Sequence, residues 1–272
     1  MHRVLLFPGT PYTIYTYGAI LSLGIVLSTL VFLPRARRIG LDEDQSTELI
    51  GWFIVAIVAG ARLMHVMLEW PEYLHHPLQI FNLREGGLAL YGGIAGGTIT
   101  LLAWSRRRGI KLVDLLDAAA PSCILAQGIG RIGCFFNGCC AGKFCPPPWG
   151  LWFRDAEPDV ARIPRYPTQL YELGADLVIF GFLLWYTRRR HYRGEVFGWY
   201  LTLYAMVRFV LEFWRDEPVV LMGLTFAQWC GVVFSLLGLA GLAVLRRHGT
   251  TTEGLSASPP IDGPPALVAE NS

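Results

Sequence analysis

The chain has 272 residues, of which 53% are apolar and 16% are charged, and its formal net charge is +2. Its mean hydropathy of +0.41 lies above that of an ordinary soluble domain. This composition excludes a water-soluble enzyme domain and supplies no strongly basic surface for nucleic acid, so the expected partners begin with membrane lipids.

The first ten residues hold one Arg and a short apolar patch, and Pro8 and Pro11 follow without the small-residue cleavage site of a removable signal peptide. The first long apolar segment therefore reads as a retained span. A bilayer core needs about 20 apolar residues of helix. Seven segments qualify, at about 13–33, 48–68, 87–104, 113–134, 168–187, 196–214 and 224–245. Stretches such as Ile50–Met64 and Phe226–Leu245 are apolar all round, unlike the one-sided helices of a small soluble bundle. The expected fold is an all-α polytopic membrane protein with seven transmembrane helices over residues 1–247.

Basic clusters set the expected orientation. Arg35, Arg37 and Arg38 follow span one, and Arg106, Arg107, Arg108 and Lys111 separate spans three and four. Arg188, Arg189, Arg190 and Arg193 separate spans five and six, and Arg246 and Arg247 follow span seven. Seven crossings place all four clusters on one side, which the positive-inside rule makes the cytoplasm. The N-terminus is then outside and the C-terminus cytoplasmic. Residues 248–272, rich in Thr, Ser, Pro and Gly, read as a disordered cytoplasmic tail. The connection at about 138–166 contains Pro146-Pro147-Pro148 and reads as a lid or docking element at the outer face.

Acidic residues divide into two sets. Asp42, Glu43, Asp44 and Glu48 open span two, and Asp114 and Asp117 open span four, where carboxylates complement a helix N-terminus. Deeper lie Arg62 and His65, Arg131, Glu172 and Asp176, and Arg208 and Glu212. Charge at membrane depth is costly and points to a cavity or to a buried ion pair. Helical spacing aligns Gln127, Arg131 and Cys134, then Gln169, Glu172 and Asp176, then Arg208, Glu212 and Arg215. Three polar faces predict one internal polar cavity, and its excess of Arg suits an anion such as phosphate. Glycines at 92, 93, 96 and 97 read as small-residue helix packing at Gly96 and Gly97. At Gly92, Gly93 and Gly138 they allow either packing or close backbone approach to a ligand.

Several stretches together resemble a known family. They are Tyr17-Gly18, Gly60-Ala-Arg62, Glu85-Gly-Gly-Leu-Ala-Leu-Tyr-Gly-Gly93 and Gly130-Arg-Ile-Gly-Cys-Phe-Phe-Asn-Gly138. Pro164-Arg-Tyr-Pro-Thr-Gln-Leu-Tyr-Glu172 and Tyr204-Ala-Met-Val-Arg-Phe-Val-Leu-Glu-Phe-Trp-Arg215 follow in the same order. The chain resembles the prolipoprotein diacylglyceryl transferases of the bacterial inner membrane. The resemblance implies transfer of the diacylglyceryl group of phosphatidylglycerol to the lipobox cysteine of a prolipoprotein signal peptide. A thioether forms and glycerol phosphate leaves, with no cofactor and no metal. It also implies that Arg131 and Arg208 bind the phosphate and stabilise the leaving group, with Tyr91 the third catalytic candidate. Asn137, Gln169 and Tyr171 would orient the headgroup, and Glu172 and Glu212 would hold the arginines. Gly92, Gly93, Arg62, Arg215 and Tyr17 complete the substrate-binding set. A monomer is expected.

Two departures stand out. Many family members have His where this chain has Tyr91 and Tyr166, and a phenol of ordinary pKa about 10 is a poorer base than imidazole. The thiol-activating group is then Tyr91, Glu172 or a phosphate oxygen of the substrate. The second departure is cysteine: Cys134 stands at a common Asn position, and Cys139-Cys140 follow Asn137-Gly138. Near an oxidising compartment, one reading is a disulfide from Cys139 or Cys140 to Cys145, another is small buried residues. The spacing lacks the second ligand pair with His expected of a zinc site. Other function classes are a membrane thiol–disulfide protein built on these cysteines and a non-catalytic binder of anionic lipid.

Overall fold

The structure is a computed structural model that describes residues 4–6, 14–82, 86–153 and 162–248. The proposed tail at 248–272 lies outside the described residues apart from His248, the last residue of the final helix. So do parts of the proposed lid. A short antiparallel pair, β1 (Val4–Leu6) and β2 (Ile14–Tyr15), leads into α1 (Thr16–Arg38). Then come α2 (Glu43–Leu68), the short α3 (Trp70–His75), a 3-10 turn at Pro77–Phe81, and α4 (Leu90–Arg108). The chain continues through α5 (Leu112–Asn137), α6 (Thr168–Thr187), α7 (Glu195–Leu211) and a 3-10 turn at Glu212–Trp214. A hairpin of β3 (Val219–Leu221) and β4 (Leu224–Thr225) leads into α8 (Phe226–His248). Met222 and Gly223 both have positive φ in the two-residue loop, the backbone that matches hairpin twist.

Among the described residues, six helices are long and apolar enough to cross a bilayer: α1, α2, α5, α6, α7 with its 3-10 extension, and α8. The chain is a polytopic all-α membrane protein. The third expected span appears as α4, 19 residues long, but Arg106, Arg107 and Arg108 in its last turn, with its glycines and threonines, bring its mean hydropathy below that of the other six. Side chains such as Leu30, Trp52, Val55, Leu63, Val178 and Leu236 stand exposed on the helix surfaces, the arrangement that lipid rather than water rewards.

The central helix is α5, packed against α1, α6 and α7, while α2 pairs with α4 and α7 with α8. The α2–α4 contact explains two glycines. A Cβ at Gly92 would lie 2.2 Å from the Gly60 carbonyl oxygen, and one at Gly96 would lie 2.2 Å from that of Ala56. Backbone meets backbone there, so any side chain would push the helices apart.

The basic clusters gather at one end of the bundle. Arg108 pairs with Glu48, Arg37 with Glu43, Arg193 with Asp114 at 3.0 Å, and Arg190 with Asp117 at 2.9 Å. Asp42 caps α2 as expected, accepting from the Gln45 amide at 2.7 Å. Asp117 differs from expectation. It does not serve its own helix; it accepts from the amides of Gly194 at 2.7 Å and Phe197 at 2.9 Å. It thus caps α7 from α5, because orphan amides at a helix start need acceptors wherever they come from. A recess lined by Arg35, Arg38, Asp117, Thr187 and Arg190 belongs to this end. Asp117 and Arg131 are 14 residues apart on α5, about 21 Å along a helix.

Candidate active site

Arg131 projects from α5 toward α6 and donates from Nη2 to Glu172 Oε1 at 2.7 Å. The Tyr204 hydroxyl of α7 reaches the same oxygen at 3.4 Å. One turn beyond Tyr204, Arg208 pairs with Glu212. Glu212 also accepts from Thr225 Oγ1 at 2.8 Å and faces Arg215 Nε at 3.6 Å. The carboxylates are the buried partners: Glu172 and Glu212 are each 1% exposed at the side chain, against 19% for Arg131 and 18% for Arg208. The acids therefore hold each guanidinium from beneath and leave part of it open. Three guanidiniums surround two buried glutamates, and Tyr204 lies within electrostatic reach of both Arg131 and Arg208. A buried anion would meet preorganised donors there.

The polar face of α6 faces the same way. Asp176 is fully buried against Gly128 of α5, and among the described residues its two carboxyl oxygens have no hydrogen-bond partner. Gln169 is buried as well. Its Nε2 donates to the Cys139 carbonyl at 2.7 Å, and its Oε1 is left without a partner among the described residues.

The end of α5 carries the conspicuous turn. Cys139 N donates to the Cys134 carbonyl at 3.1 Å and Gly138 N to that of Phe135 at 3.2 Å. With Gly138 at φ 73° this closes a Schellman motif, which needs glycine at the left-handed position. Cys140 continues at φ 61°. Thr168 Oγ1 donates to the Cys140 carbonyl at 2.9 Å, so the start of α6 anchors the turn twice. As a result the sulfurs of Cys134, Cys139 and Cys140 all lie within 4.8 Å of one another. Hydrogen bonds from the Cys134 and Cys139 thiols, with the Arg215 and Arg131 guanidiniums, hold the Cys140 thiol below its ordinary range. Tyr17 of α1 packs its ring over Gly133, where a Cβ would sit 2.9 Å away, and so borders the same cluster.

This corrects the disulfide expectation. All six cysteines are free thiols. Cys145 is carried off by the strand-like run that bonds its amide to Pro164 O at 3.0 Å, and its sulfur lies beside Pro146 O and Tyr166. The turn curls Cys139 and Cys140 back over α5 instead, toward Cys134.

Other residues singled out in the sequence fall elsewhere. Arg62 spends its guanidinium on five carbonyls: Ile80 at 2.9 Å, Gly86 at 2.8 Å, Gly87 at 2.9 Å, Asn82 at 3.1 Å, and Gln79. Non-helical backbone near a membrane needs donors, and Arg62 supplies them. Gly92 serves the α2–α4 contact, whereas a Cβ at Gly93 would make only ordinary contact with Ile57 and Ala61, so helix packing accounts for the glycine at 92 and does not demand one at 93. Tyr91 is exposed on α4 and stacks edge-on against Phe226, 6.3 Å between centroids, with no carboxylate partner among the described residues. Tyr171 is part-exposed on α6, and Asn137 lies within hydrogen-bond reach of the Cys139 sulfur. Glu85 of the third motif lies outside the described residues. The structure thus gathers Arg131, Glu172, Arg208, Glu212, Arg215, Gln169, Asn137 and Tyr17, while Arg62 and Gly92 engage α2, α4 and the loop between them, and Tyr91 rests on Phe226, the residue after the Thr225 that bonds Glu212. Sequence reasoning missed Tyr204 and Thr225. Tyr204 stands four residues before Arg208, a readable spacing; Thr225 reaches Glu212 across a hairpin, which no local pattern announces.

The chain is similar to known proteins over most of its length. A sequence model of the prolipoprotein diacylglyceryl transferase family matches residues 4–244. The chain is 32% identical over 225 residues to phosphatidylglycerol–prolipoprotein diacylglyceryl transferase 2 of Clostridium perfringens, covering 83% of this chain and 88% of that protein. It is 33% identical over 253 residues to the phosphatidylglycerol–prolipoprotein diacylglyceryl transferase of Limosilactobacillus reuteri, covering 89% and 90%. It is 35% identical over 228 residues to that of Clostridioides difficile, covering 83% and 86%. The matched stretch contains every residue of the Arg131–Glu172 and Arg208–Glu212–Arg215 assembly, and on these grounds the chain belongs to the prolipoprotein diacylglyceryl transferase family.

Proposed function

We propose that the protein moves the diacylglyceryl group of phosphatidylglycerol onto the lipobox cysteine of a prolipoprotein. The observation that carries this reading is the pair of part-open arginines, Arg131 and Arg208, each held from below by a buried glutamate within a membrane bundle. The thiol sulfur attacks the glyceryl carbon bonded to the phosphate oxygen. A carbon–sulfur bond forms, that carbon–oxygen bond breaks, and glycerol phosphate departs with the electron pair. Arg131 and Arg208 neutralise the phosphate oxygens as charge grows on them, which costs little reorganisation in a dry site. The thiol proton ends on the departing phosphate, a monoester dianion whose pKa of about 6 makes it an adequate acceptor. This assignment needs no imidazole at Tyr91 or Tyr166. Tyr91 instead hydrogen-bonds substrate from α4, Asn137 and Tyr171 orient the headgroup, and Gln169 positions the Cys139–Cys140 turn.

The same proposal counts α4 as a span. Seven crossings then bring the four basic clusters to the cytoplasmic side, with the N-terminus outside, the C-terminus inside and the arginine site opening toward the outer leaflet of the bacterial inner membrane. The gathering of α1, α4 and α6 C-terminal arginines at one end supports that count. A monomer suffices, since every residue invoked belongs to one chain.

The test uses purified protein in vesicles with a lipobox peptide, read by the mass of the product. Phosphatidylglycerol vesicles should give the thioether and phosphatidylethanolamine vesicles should not. Arg131→Ala, present in the membrane at wild-type amount, should lose transfer; full activity in that variant overturns the assignment. Serine replacement of Cys139, Cys140 and Cys145 together should leave transfer in place, whereas a thiol–disulfide protein would lose its function.

A further inference from the structure

Three thiols from one helix end and one turn are held together by features that have no need of them. The Schellman turn at Gly138, the left-handed Cys140, and the anchors from Thr168 at 2.9 Å and Gln169 at 2.7 Å fix the backbone before any ligand arrives. The sulfurs lie within 4.8 Å of one another. Metal–thiolate bonds of about 2.3 Å in a trigonal plane would set sulfurs about 4.0 Å apart, so closure needs less than about 1 Å of movement. Cys134 and Cys139 are part-buried and Cys140 is exposed, which leaves a path in from one side.

We propose that Cys134, Cys139 and Cys140 form a binding site for monovalent copper at the end of α5. The ligand number selects the ion. Among the described residues no His, Asp or Glu joins the three sulfurs. A closed structural zinc site wants four protein ligands, whereas soft thiolates without a fourth partner suit Cu(I). Charge agrees: one Cu(I) and three thiolates leave a net charge of −2, facing Arg131 and Arg215. Each copper–sulfur bond forms as any S–H bond still present breaks and its proton passes to solvent, and no oxidant or reductant is involved. The cluster borders Arg131, Asn137, Gln169 and Tyr17, but the proposal does not rest on the transferase reading, and its test does not measure transfer.

The experiment titrates full-length, anaerobically reduced protein in detergent micelles with Cu(I) against bicinchoninate. One equivalent should leave the chelator, and X-ray absorption of the loaded wild-type protein should show three sulfurs near 2.3 Å. Cys134→Ser, Cys139→Ser and Cys140→Ser should each weaken binding by at least the roughly 100-fold that an outer-shell partner commands. The triple variant Cys123→Ser/Cys145→Ser/Cys230→Ser should bind as the wild type. Failure to compete with the chelator, a two-sulfur copper, stronger uptake of Zn(II) than of Cu(I), or a disulfide within the trio in protein alkylated directly in membranes overturns the proposal.

Discussion

The Arg131–Glu172 pair gives a test in which stability and activity separate. At 2.7 Å, opposite unit charges attract by about 6 kcal/mol at an effective dielectric of about 20. Desolvation of both groups offsets much of that, so the pair contributes little beyond a well-packed apolar substitute. Breaking it one-sidedly is different, because a buried charge then loses its partner at about 3–5 kcal/mol. The burial is asymmetric: Glu172 is 1% exposed and Arg131 19%. Arg131→Met strands the deeper charge, leaving Glu172, among the described residues, the Tyr204 hydroxyl at 3.4 Å as its hydrogen-bond partner. It should cost the full range. Glu172→Leu strands the shallower charge, which turns toward solvent or lipid headgroups, and should cost about half as much. The double variant removes both charges and should be more stable than Arg131→Met alone, with a coupling energy of about 3 kcal/mol. Thermal unfolding of purified protein in one detergent measures all four forms. Both variants lacking Arg131 should lose transfer by about 100-fold or more whatever their stability. Additive losses would refute the buried-pair reasoning, and a stable Arg131→Met that still transfers would refute the phosphate assignment.

Three further predictions rest on other parts of the fold. Gly92→Ala puts a methyl 2.2 Å from the Gly60 carbonyl oxygen, whereas Gly130→Ala meets nothing within 4 Å; the first should lose about 1–3 kcal/mol of stability and the second should be neutral or stabilised, as read by detergent melting. Asp117→Ala removes a cap on α7 and the partner of Arg190, and should lower stability by about 2–4 kcal/mol while leaving the KM for phosphatidylglycerol unchanged at permissive temperature. Arg62→Met releases five loop carbonyls, so limited proteolysis should cut within Pro77–Gly87 faster than in the wild type, with the transferase rate per folded molecule falling less than in Arg131→Met.

Much of the architecture was readable in the chain alone. Long uncharged runs located the helices because bilayer thickness sets their length, and clustered arginines marked one end because unpaired charge is too costly to leave within hydrocarbon. The periodicity that aligned Arg131 with Cys134, Glu172 with Asp176, and Arg208 with Glu212 survives in the structure, since residues three and four apart share a helix face whatever surrounds them. What periodicity cannot fix is the rotation and register of one helix against the next. That alone decided that Arg131 pairs with Glu172 and that Asp117 caps α7. It also decided that Arg62 turns to loop carbonyls and that Gly92 is taken up by Gly60. The cysteines make the same point: sequence proximity suggested a bridge to Cys145, and the left-handed turn at the end of α5 brought Cys139 and Cys140 to Cys134 instead. Sequence determined which side chains are costly to bury, because that is a property of each residue; only the tertiary structure decided their partners, because partnership is set by packing between segments far apart in the chain.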